Sequence, residues 1–590
     1  MLDFIFGDMV SEEERIEKYR SVVRGVSHLS HRNPLKARPG DMVSLTLSTG
    51  PDMLTENAFI YYTTDGLDPV GKNGKAKNGS VITMQKSKVT WNMPEWGYVQ
   101  EYTGVIPAQK AGTLVRYRLS SLSPAGDEIF ADGGKYYAYC VDDYSVPQWA
   151  KEAIIYHIMV DRFSPGMGRS WMTVRDVEDI YGGTLRGILE KIDYIHDLGA
   201  NTLYLSPLFP CNSHHGYDST DYFEIEPRFG TKDDFRALLV ALHEKGMKFI
   251  MDFVPNHWSV NHPTFQDAVN NPNSNFRDWY IFKEYPIEYE CFFNVREMPK
   301  INLRNPSAKQ HILDAARYWL EFGVDGFRID HAIGPTPDFW ADFRAVVKQT
   351  NPDCWIFGEV IDPPDSQKAF VGLLDGCLDF HLLEFMRKTF GVRKWDLVKF
   401  SAFLQKHSSF FPDDFLLPSM LDNHDMDRFL WIAGNDTRRL KLAALMQCFL
   451  PNPPLLYYGT EIGLSQRIGI RSEYGGFGHL GEARLPMEWG EEQDQDLYYF
   501  FQQLYQLRKE LAFYKRRTIS IEKVTSTELI LTLENNPSIQ LMINVGEEEK
   551  QFELTNSTFT SFFSSSECGA KKIEHGMKLS LPACSGAILY

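Results

Sequence analysis

The chain has 590 residues, a formal net charge of −17 and 43% hydrophobic residues. One core rarely grows past about 250–300 residues, so several domains are expected. The acidic balance excludes nucleic acid and anionic membranes as partners. No run approaches the roughly 18 apolar residues of a membrane span, and Met1–Asp8 does not have the pattern of a secretory signal. The eight cysteines form no CxxC pair, which is typical of reduced thiols, so we expect a cytoplasmic protein.

Residues 1–142 predict a β-sandwich domain that begins with a short helix. Ser11 starts a capping-box pattern, from which a helix runs to about Arg24. Alternating apolar residues then predict strands separated by turn signals, as in a sandwich; the clearest are Met42–Leu47, Ala58–Tyr62 and Leu114–Leu119. Such a domain can bind substrate, form a dimer interface or simply pack against its neighbour.

Two tryptophans in this domain, Trp91 and Trp96, are candidate platforms for a sugar ring. Aromatic faces stack on sugars, but they also fill cores. Core packing is the more ordinary role, and we expect it for both residues.

Residues 143–511 predict a closed barrel of eight parallel strands and eight helices. Nearly continuous apolar runs indicate strands buried on both faces, and helical stretches separate them. The strands recognised by this pattern are Ala153–Val160, Asn201–Leu205, Lys248–Val254, Gly326–Asp330, Trp355–Val360, Phe415–Leu421 and Leu455–Tyr458. In this α/β fold the chemistry lies at the carboxyl ends of the strands, so polar residues there are expected to meet at one mouth.

Two segments interrupt or follow the barrel pattern. Residues from about 257 to 305 show no clear strand–helix unit, which predicts an inserted subdomain after the third strand. From about 512 to 590 the alternation of strands and helices ends, and short apolar runs such as Ile539–Val545 predict a C-terminal β-domain.

The carboxyl ends of four predicted strands carry groups suited to glycoside hydrolysis. Arg328 and Asp330 share one face of a strand, so the guanidinium is expected to lower the pKa of the Asp330 carboxyl and keep it ionised as a nucleophile. A structural ion pair is the alternative explanation. Glu359 follows an apolar run whose burial would raise its pKa, as a proton donor requires. Asp425 supplies a third carboxylate at the same mouth.

Two histidines follow the same strand ends. His257 and His424 could hold sugar hydroxyls, although either could be a satisfied interior histidine. One such group alone is more often structural, but four strand ends with suitable groups are hard to explain that way.

Four short segments resemble the motifs of the α-amylase superfamily of glycoside hydrolases: Asp252–His257, Gly326–Asp330, Gly358–Val360 and Leu421–Asp425. The segment Ser213–Asp218 also resembles a tyrosine-bearing loop of that family. The resemblance implies a retaining double displacement on α-glucans, with Asp330 as nucleophile, Glu359 as acid/base and Asp425 as stabiliser. It further implies that Tyr217, His257, Arg328 and His424 line the cleavage subsite.

A further motif, Met298–Asn302, is similar to the MPKLN sequence of the neopullulanase, cyclomaltodextrinase and maltogenic amylase group. Members of this group carry an extra N-terminal β-domain that often forms a dimer, and they are commonly intracellular. The resemblance therefore implies a homodimer through residues 1–142. Calcium is an optional ligand in relatives, and Asn256 lies where a family ligand often does; no cofactor is otherwise expected.

The chain departs from the family pattern beside three of its motifs. Ile333 and Gly334 replace a usual polar pair after the nucleophile, and Val360-Ile361 replaces a tryptophan–histidine pair after the acid. Leu480 stands at the aspartate position of a DPxxR-like motif whose arginine, Arg484, is kept. Lost polar partners change which substrate is held.

The predicted function is hydrolysis of α-1,4 glucosidic bonds in cyclic or short maltooligosaccharides, and α-1,6 bonds are a second candidate linkage. Two alternatives are enzymes of the same fold: a transglycosylase, and a hydrolase of a mixed-linkage cyclic oligosaccharide. A non-catalytic carbohydrate-binding scaffold is a third, opposed by the three intact carboxylates.

Overall fold

The computed structural model describes residues 12–471, 478–515, 518–534, 539–555, 559, 561–573 and 576–590. The first helix spans Glu12–Arg24. Ser11, the expected start of its capping box, lies outside the described residues. No helix among the described residues is long and apolar enough to cross a bilayer.

The N-terminal domain consists of two antiparallel sheets of five strands each, which share one buried apolar cluster. This packing arises because side chains along a strand point alternately to the two faces of the sheet, so the strand Val43–Thr49 buries every second residue. The first sheet contains Val26–Ser27, Arg32–Asn33, Val43–Thr49, Gly97–Ile106 and Gln85–Asn92. The second contains Glu128–Phe130, Leu114–Leu122, Asn57–Thr63, Ser80–Thr83 and Tyr137–Cys140. A small hairpin, Val70–Lys72 with Lys75–Asn78, and a 3₁₀ turn at Ala131–Gly133 complete the domain.

Two tryptophans of the sandwich are exposed, so the expectation of core packing was wrong. Trp91 is 43% exposed and Trp96 is 73% exposed. Their rings lie 5.4 Å apart, and Tyr98 lies 5.0 Å from Trp91. We refer to Trp91, Trp96 and Tyr98 as the aromatic patch. Trp91 and Tyr98 lie on the hairpin formed by Gln85–Asn92 and Gly97–Ile106, and Trp96 lies in its connection; the described residues leave all three side chains exposed.

The central domain is a (β/α)₈ barrel, as predicted. Its hydrogen-bonded strands, in chain order, are Ile155–Ile158, Thr202–Leu205, Lys248–Phe253, Gly326–Ile329, Trp355–Gly358, Gly376–Cys377 and Leu455–Tyr457. They form one parallel sheet in which the last strand pairs with the first. The seventh position is taken by residues 416–419, which make single parallel bridges to Gly376 and Pro454 and so close the barrel.

The sixth barrel strand, Gly376–Cys377, was not predicted. It is two residues long and begins with glycine, so it shows neither an apolar run nor an alternation. Glycine is needed there because a Cβ atom would lie 2.1 Å from the carbonyl oxygen of Leu416 on the seventh segment.

The helices of the barrel domain begin with side-chain caps at several ends, including a full capping box at Thr231. They are Gln148–Lys151, Val160–Phe163, Leu185–Leu189, Ile192–Leu198, Lys232–Glu244, Pro306–Phe322, Phe339–Thr350, Pro364–Lys368, Phe380–Met386, Leu397–His407, Phe429–Ile432, Thr437–Phe449 and Gln495–Glu510. A π-helical turn spans Arg387–Gly391, and 3₁₀ turns span Thr460–Ile462, Leu480–Arg484 and Phe513–Lys515.

The insertion after the third strand contains more regular structure than its sequence pattern indicated. It holds the helix Pro263–Asn270, a 3₁₀ turn at Arg277–Trp279 and two short hairpins. The hairpin strands are Phe282–Glu284, Glu288–Tyr289, Cys291–Phe292 and Val295–Pro299.

The C-terminal region forms two antiparallel sheets in its described residues. One contains Ile519–Val524, Glu528–Leu533, Ile539–Asn544, Ser585–Leu589 and Phe562–Ser564. The other contains Lys550–Thr555, Gly576–Leu581 and Gly569–Ile573.

Candidate active site

The strand register places the predicted nucleophile beside the predicted acid. In the parallel ladder, Asp252 pairs with Arg328 and Ile329 pairs with Gly358. Asp330 and Glu359 each follow a strand by one residue, so both emerge side by side at the carboxyl-end mouth of the barrel.

Arg328 lies at the centre of this group and contacts three carboxylates. Its Nη1 donates to Asp252 Oδ1 at 2.8 Å and Oδ2 at 3.0 Å, and to Asp330 Oδ1 at 2.8 Å. Its Nη2 lies 2.8 Å from Glu359 Oε1, but the angle does not meet hydrogen-bond geometry. The guanidinium therefore bridges the two predicted reacting carboxyls and limits their separation.

A second cluster holds Asp425 at the same mouth. His424 Nε2 lies 2.9 Å from Asp425 Oδ2, and Arg484 Nη2 donates to Asp425 Oδ1 at 2.9 Å. Arg484 Nε also donates to the His424 carbonyl oxygen at 2.8 Å. The arginine kept from the incomplete DPxxR-like motif thus contacts the third carboxylate directly.

Tyr217 joins the two clusters. Its Oη lies 2.9 Å from Asp252 Oδ2, to which it donates, and 2.8 Å from His424 Nε2. Its ring stacks on that of His424, with centroids 5.3 Å apart and planes inclined by 13°. Of the predicted site residues, seven are therefore linked by direct contacts: Tyr217, Arg328, Asp330, Glu359, His424, Asp425 and Arg484.

His257 lies at the edge of the same mouth, beside the inserted subdomain. Its ring stacks on Phe292 at 4.5 Å, and Phe292 in turn meets the ring of His331 edge-on at 4.9 Å. Its buried Nε2 has no hydrogen-bond partner, which leaves a polar atom for a ligand.

Asn256, the predicted calcium ligand, offers a single oxygen. Its Nδ2 lies 3.1 Å from His257 Nδ1, and its buried Oδ1 is without a partner. Calcium takes six to eight oxygen ligands. Among the described residues no group of three or more histidine, cysteine or acidic side chains could hold a metal ion. Asn256 thus supplies one side-chain oxygen, and among the described residues no cluster of three such side chains joins it.

Burial dominates the electrostatics of the reacting pair. It raises the pKa of Glu359 above its ordinary value, as the sequence predicted, although Arg328 opposes the shift. Burial also raises the pKa of Asp330 well above its ordinary value, against the lowering effect of Arg328. The expectation of a lowered Asp330 pKa was therefore wrong for the free site, because burial outweighs the effect of a guanidinium that also serves two other carboxylates. Burial would raise the pKa of Asp425 as well, but His424 and Arg484 outweigh it and hold that pKa below its usual range.

Two contributions to the site were not assigned from the sequence. Asp252 was noted only as part of a motif, yet it takes two contacts from Arg328. The sequence did contain a signal for this role. Asp252 is a single carboxylate inside the apolar run Lys248–Phe253, and a buried charge needs a partner. His331, directly after Asp330, has a left-handed backbone (φ 41°), and its N–H donates to Glu359 Oε2 at 3.1 Å. No sequence pattern indicates that contact.

An open cavity of about 450 Å³ adjoins the second cluster. His214 connects them, since its Nε2 lies 3.2 Å from Arg484 Nη1. The residues lining the cavity are Glu178, Asp179, Ile180, Asn212, Ser213, His214 and His215.

The residues that depart from the family pattern have different surroundings. Ile333 is 38% exposed, so an apolar side chain faces solvent three residues after Asp330. Val360 is fully buried, so valine at the position of the family's tryptophan is part of the packed interior. At Gly334 a Cβ atom would lie 2.1 Å from Asn256 Oδ1, so glycine lets the loop approach that side chain.

A (β/α)₈ barrel with paired carboxyls at its mouth is an architecture of glycoside hydrolases. Residues 157–493 match the alpha amylase catalytic domain, and the chain belongs to the α-amylase family of glycoside hydrolases. It is therefore an enzyme of that class.

Curated relatives and a solved structure resemble the chain over much of its length. Alpha-amylase 2 of Dictyoglomus thermophilum is 35% identical over 573 residues, covering 95% of this chain and 95% of that protein. Neopullulanase 2 of Thermoactinomyces vulgaris is 33% identical over 404 residues, 65% of this chain and 67% of that protein. A solved cyclomaltodextrinase structure superposes with a TM-score of 0.68 at 26% identity, covering 96% of this chain and 100% of that one.

Proposed function

We propose that this enzyme is a retaining hydrolase of α-glucans in which Asp330 is the nucleophile, Glu359 the acid/base and Asp425 the stabiliser. The observation that carries the proposal is the bridge made by Arg328, which contacts Asp330 and Glu359 at 2.8 Å each. Retaining glycosidases need two carboxyls close together, because one of them bonds to the sugar.

In the first step an Asp330 oxygen attacks the anomeric carbon while Glu359 gives its proton to the leaving glycosidic oxygen. The carbon–oxygen bond to the leaving sugar breaks, and a glycosyl ester forms on Asp330. In the second step ionised Glu359 takes a proton from water, whose oxygen attacks the anomeric carbon and releases Asp330. Asp425 accepts hydrogen bonds from sugar hydroxyls that strengthen in the transition state.

The remaining predicted residues would hold the sugar in the cleavage subsite. Tyr217 presents an aromatic ring for stacking. His257 has an unpartnered Nε2 for a hydroxyl. Arg328, His424 and Arg484 keep the carboxylates oriented through the contacts described above. They would support substrate binding by fixing the positions of these carboxylates as well as by electrostatic attraction.

We propose α-1,4 bonds in cyclic or short maltooligosaccharides as the substrate, with α-1,6 bonds as the second linkage tested. The neopullulanase and cyclomaltodextrinase relatives support this class. The exposed Ile333 beside the nucleophile supports one competing outcome, transglycosylation, because an apolar side chain disfavours water at the glycosyl-enzyme stage. A mixed-linkage cyclic oligosaccharide is the other substrate that the lost polar partners favour.

A product profile distinguishes these outcomes. Cyclodextrin, pullulan, starch, maltotriose and a mixed-linkage cyclic tetrasaccharide would be compared at low and high concentration. We expect cyclodextrin and maltotriose to be cleaved fastest, with products no longer than the substrate. Products longer than the substrate at high concentration would show transfer, and equal rates on long starch would contradict the preference for small substrates.

The nucleophile assignment is tested by Asp330→Asn. Because the amide cannot form the glycosyl ester, we expect kcat to fall roughly 10⁴-fold or more. Asp314→Asn, at a half-buried position on the helix Pro306–Phe322, serves as a control that should leave kcat unchanged. Full activity in Asp330→Asn would overturn the assignment.

Three further properties are proposed beyond the chemistry. We propose that calcium is not required, which is tested by activity after exhaustive chelation. We propose a cytoplasmic location; all eight cysteines are unpaired, as expected in a reducing compartment, and cell fractionation tests it. We propose a homodimer through the N-terminal domain, supported by the exposed aromatic patch.

A further inference from the structure

Asp338 occupies a helix-capping position but does not cap. It precedes the helix Phe339–Thr350 and makes no side-chain hydrogen bond to that helix. Aspartate at such a position normally accepts from the first backbone N–H groups. Here its Oδ2 instead accepts from Arg116 Nη1 at 2.8 Å and from Arg304 Nη1 at 2.5 Å. Its side chain is thus used for a contact with the N-terminal domain.

The contact belongs to a balanced ionic network between the sandwich and the barrel. Arg116, on the sandwich strand Leu114–Leu122, also contacts Asp342, and its Nε donates to the Gly66 carbonyl at 2.7 Å. The three cations are Arg116, Arg304 and Lys309, and the three anions are Asp68, Asp338 and Asp342. Because Arg116 and Asp338 are almost completely buried, their pairing is little screened by solvent.

Asp338 ends the loop that begins directly after the nucleophile. At the other end of this 331–338 loop, the His331 N–H donates to Glu359 Oε2 and the Ala332 N–H donates to the Glu359 carbonyl at 3.0 Å. Trp340 Nε1, just past the loop, donates to the Ala332 carbonyl at 3.1 Å. The loop therefore spans from the proposed acid to the sandwich domain in eight residues.

We propose that Arg116 is a positioning residue for catalysis: by holding Asp338 it fixes the 331–338 loop, and thereby the His331 N–H that contacts Glu359. The inference rests on the proposed role of Glu359 as acid/base. It extends the reacting site to a residue of another domain that touches neither substrate nor reacting atoms.

We expect loss of the contact between Arg116 and Asp338 to shift the pH dependence of catalysis. Besides His331, the charged groups that face Glu359 are Arg328, His424, Asp425 and Asp330. The N–H of His331 favours the ionised carboxylate and so lowers its pKa. Releasing the loop weakens this hydrogen bond, raises the pKa of Glu359 and moves the alkaline limb of the pH profile upward.

The experiment compares Arg116→Met with wild type by kcat/KM from pH 4 to pH 9 on a short maltooligosaccharide. We expect the alkaline limb to move up by about 0.5 pH unit. Arg116→Lys, which can reach one aspartate rather than two, should show a smaller shift. Lys36→Met is the matched control, since it removes another sandwich-to-barrel ion pair, to Asp414, that does not contact the loop. Its alkaline limb should coincide with wild type.

A second variant tests whether the shift in pH dependence comes from the position of the 331–338 loop. Asp338→Asn keeps the side-chain volume but removes the charge that pairs with Arg116. We expect the same upward shift, together with a lower Tm because the buried Arg116 loses one of its two counter-charges. An unshifted alkaline limb in this variant would overturn the proposal, whatever happens to Tm. An active Asp330→Asn enzyme would instead overturn the proposed function, so the two failures are distinguishable.

Discussion

At the residue scale, Arg328 meets three buried carboxylates with a single positive charge. Asp252 takes two of its contacts, so the guanidinium cannot also neutralise both Asp330 and Glu359. A buried pair of like charges raises the pKa of its members and retains a proton. The well-formed hydrogen bond goes to Asp330, whereas the approach to Glu359 lacks hydrogen-bond geometry. Burial raises both pKa values, that of Asp330 more strongly, so the pair retains a proton; the proposed mechanism requires that proton to be on Glu359 when the substrate is cleaved.

The acid role predicts how a Glu359→Gln variant depends on its leaving group. Turnover of maltotriose should fall about 10²–10⁴-fold, because the glycosidic oxygen leaves without a proton. An aryl α-glucoside whose phenol is acidic needs no such proton, so its first step should be much less affected. The measurement is the burst and steady-state rates on both substrates. Equal loss on both would contradict the assignment.

At the scale of secondary-structure elements, helix ends carry the contacts that organise the barrel rim. Asp379 caps the helix Phe380–Met386 through the Leu382 N–H at 2.9 Å. It also contacts His407, at the end of the helix Leu397–His407, with Nε2 2.9 Å from Oδ2. One carboxylate thus joins the start of one helix to the end of another.

This junction predicts a pH-dependent stability. Burial lowers the pKa of His407, but Asp379 outweighs it and the net shift is upward from 6.5. A raised folded-state pKa contributes stability that is complete below pH 6.5 and is lost as pH rises through the folded-state value. The Tm difference between wild type and His407→Gln should therefore shrink from pH 6 to pH 9. The exposed His196→Gln is the control, and a difference independent of pH would contradict the prediction.

At the scale of the whole molecule, the N-terminal domain presents an aromatic surface that the described part of the chain leaves exposed. Two tryptophans and a tyrosine in contact at the surface are unusual for a monomer and typical of an interface. The hairpin tip that carries them is held in place, since Arg24 Nε donates to Glu95 at 2.6 Å. Trp96 itself has a left-handed backbone (φ 51°), a conformation that surrounding contacts must maintain.

The proposed dimer is tested by Trp96→Ser. Wild type should have about twice the 67.9 kDa mass of one chain by light scattering at micromolar concentration, and the variant should shift toward one chain. Tyr499→Ser, exposed on a barrel helix, is the control. A dimer that persists in Trp96→Ser would contradict this interface. Loss of α-glucan retention on an affinity column, with unchanged mass, would instead identify a sugar platform.

Features of the fold and the site could be predicted where their signal lies within one continuous stretch of sequence. The apolar runs of seven barrel positions and the polar groups that follow four of them are continuous in sequence. Gly376–Cys377 was missed because close approach to Leu416, not an apolar pattern, decides that strand. The exposure of Trp96 was missed because the sequence does not say whether a neighbouring strand will cover a ring.

The sequence alone determined the barrel, its flanking β-domains and the residues proposed for the chemistry, because strand periodicity and strand-end position are local properties. Only the tertiary structure decided how those residues share charge. Asp252 and Glu359 lie on either side of Arg328 in the sheet, so the pKa of Asp330 depends on partners 78 residues before it and 29 after it in the chain. The contact from Arg116 to the loop after Asp330 was likewise decided by packing between domains, which no local pattern encodes.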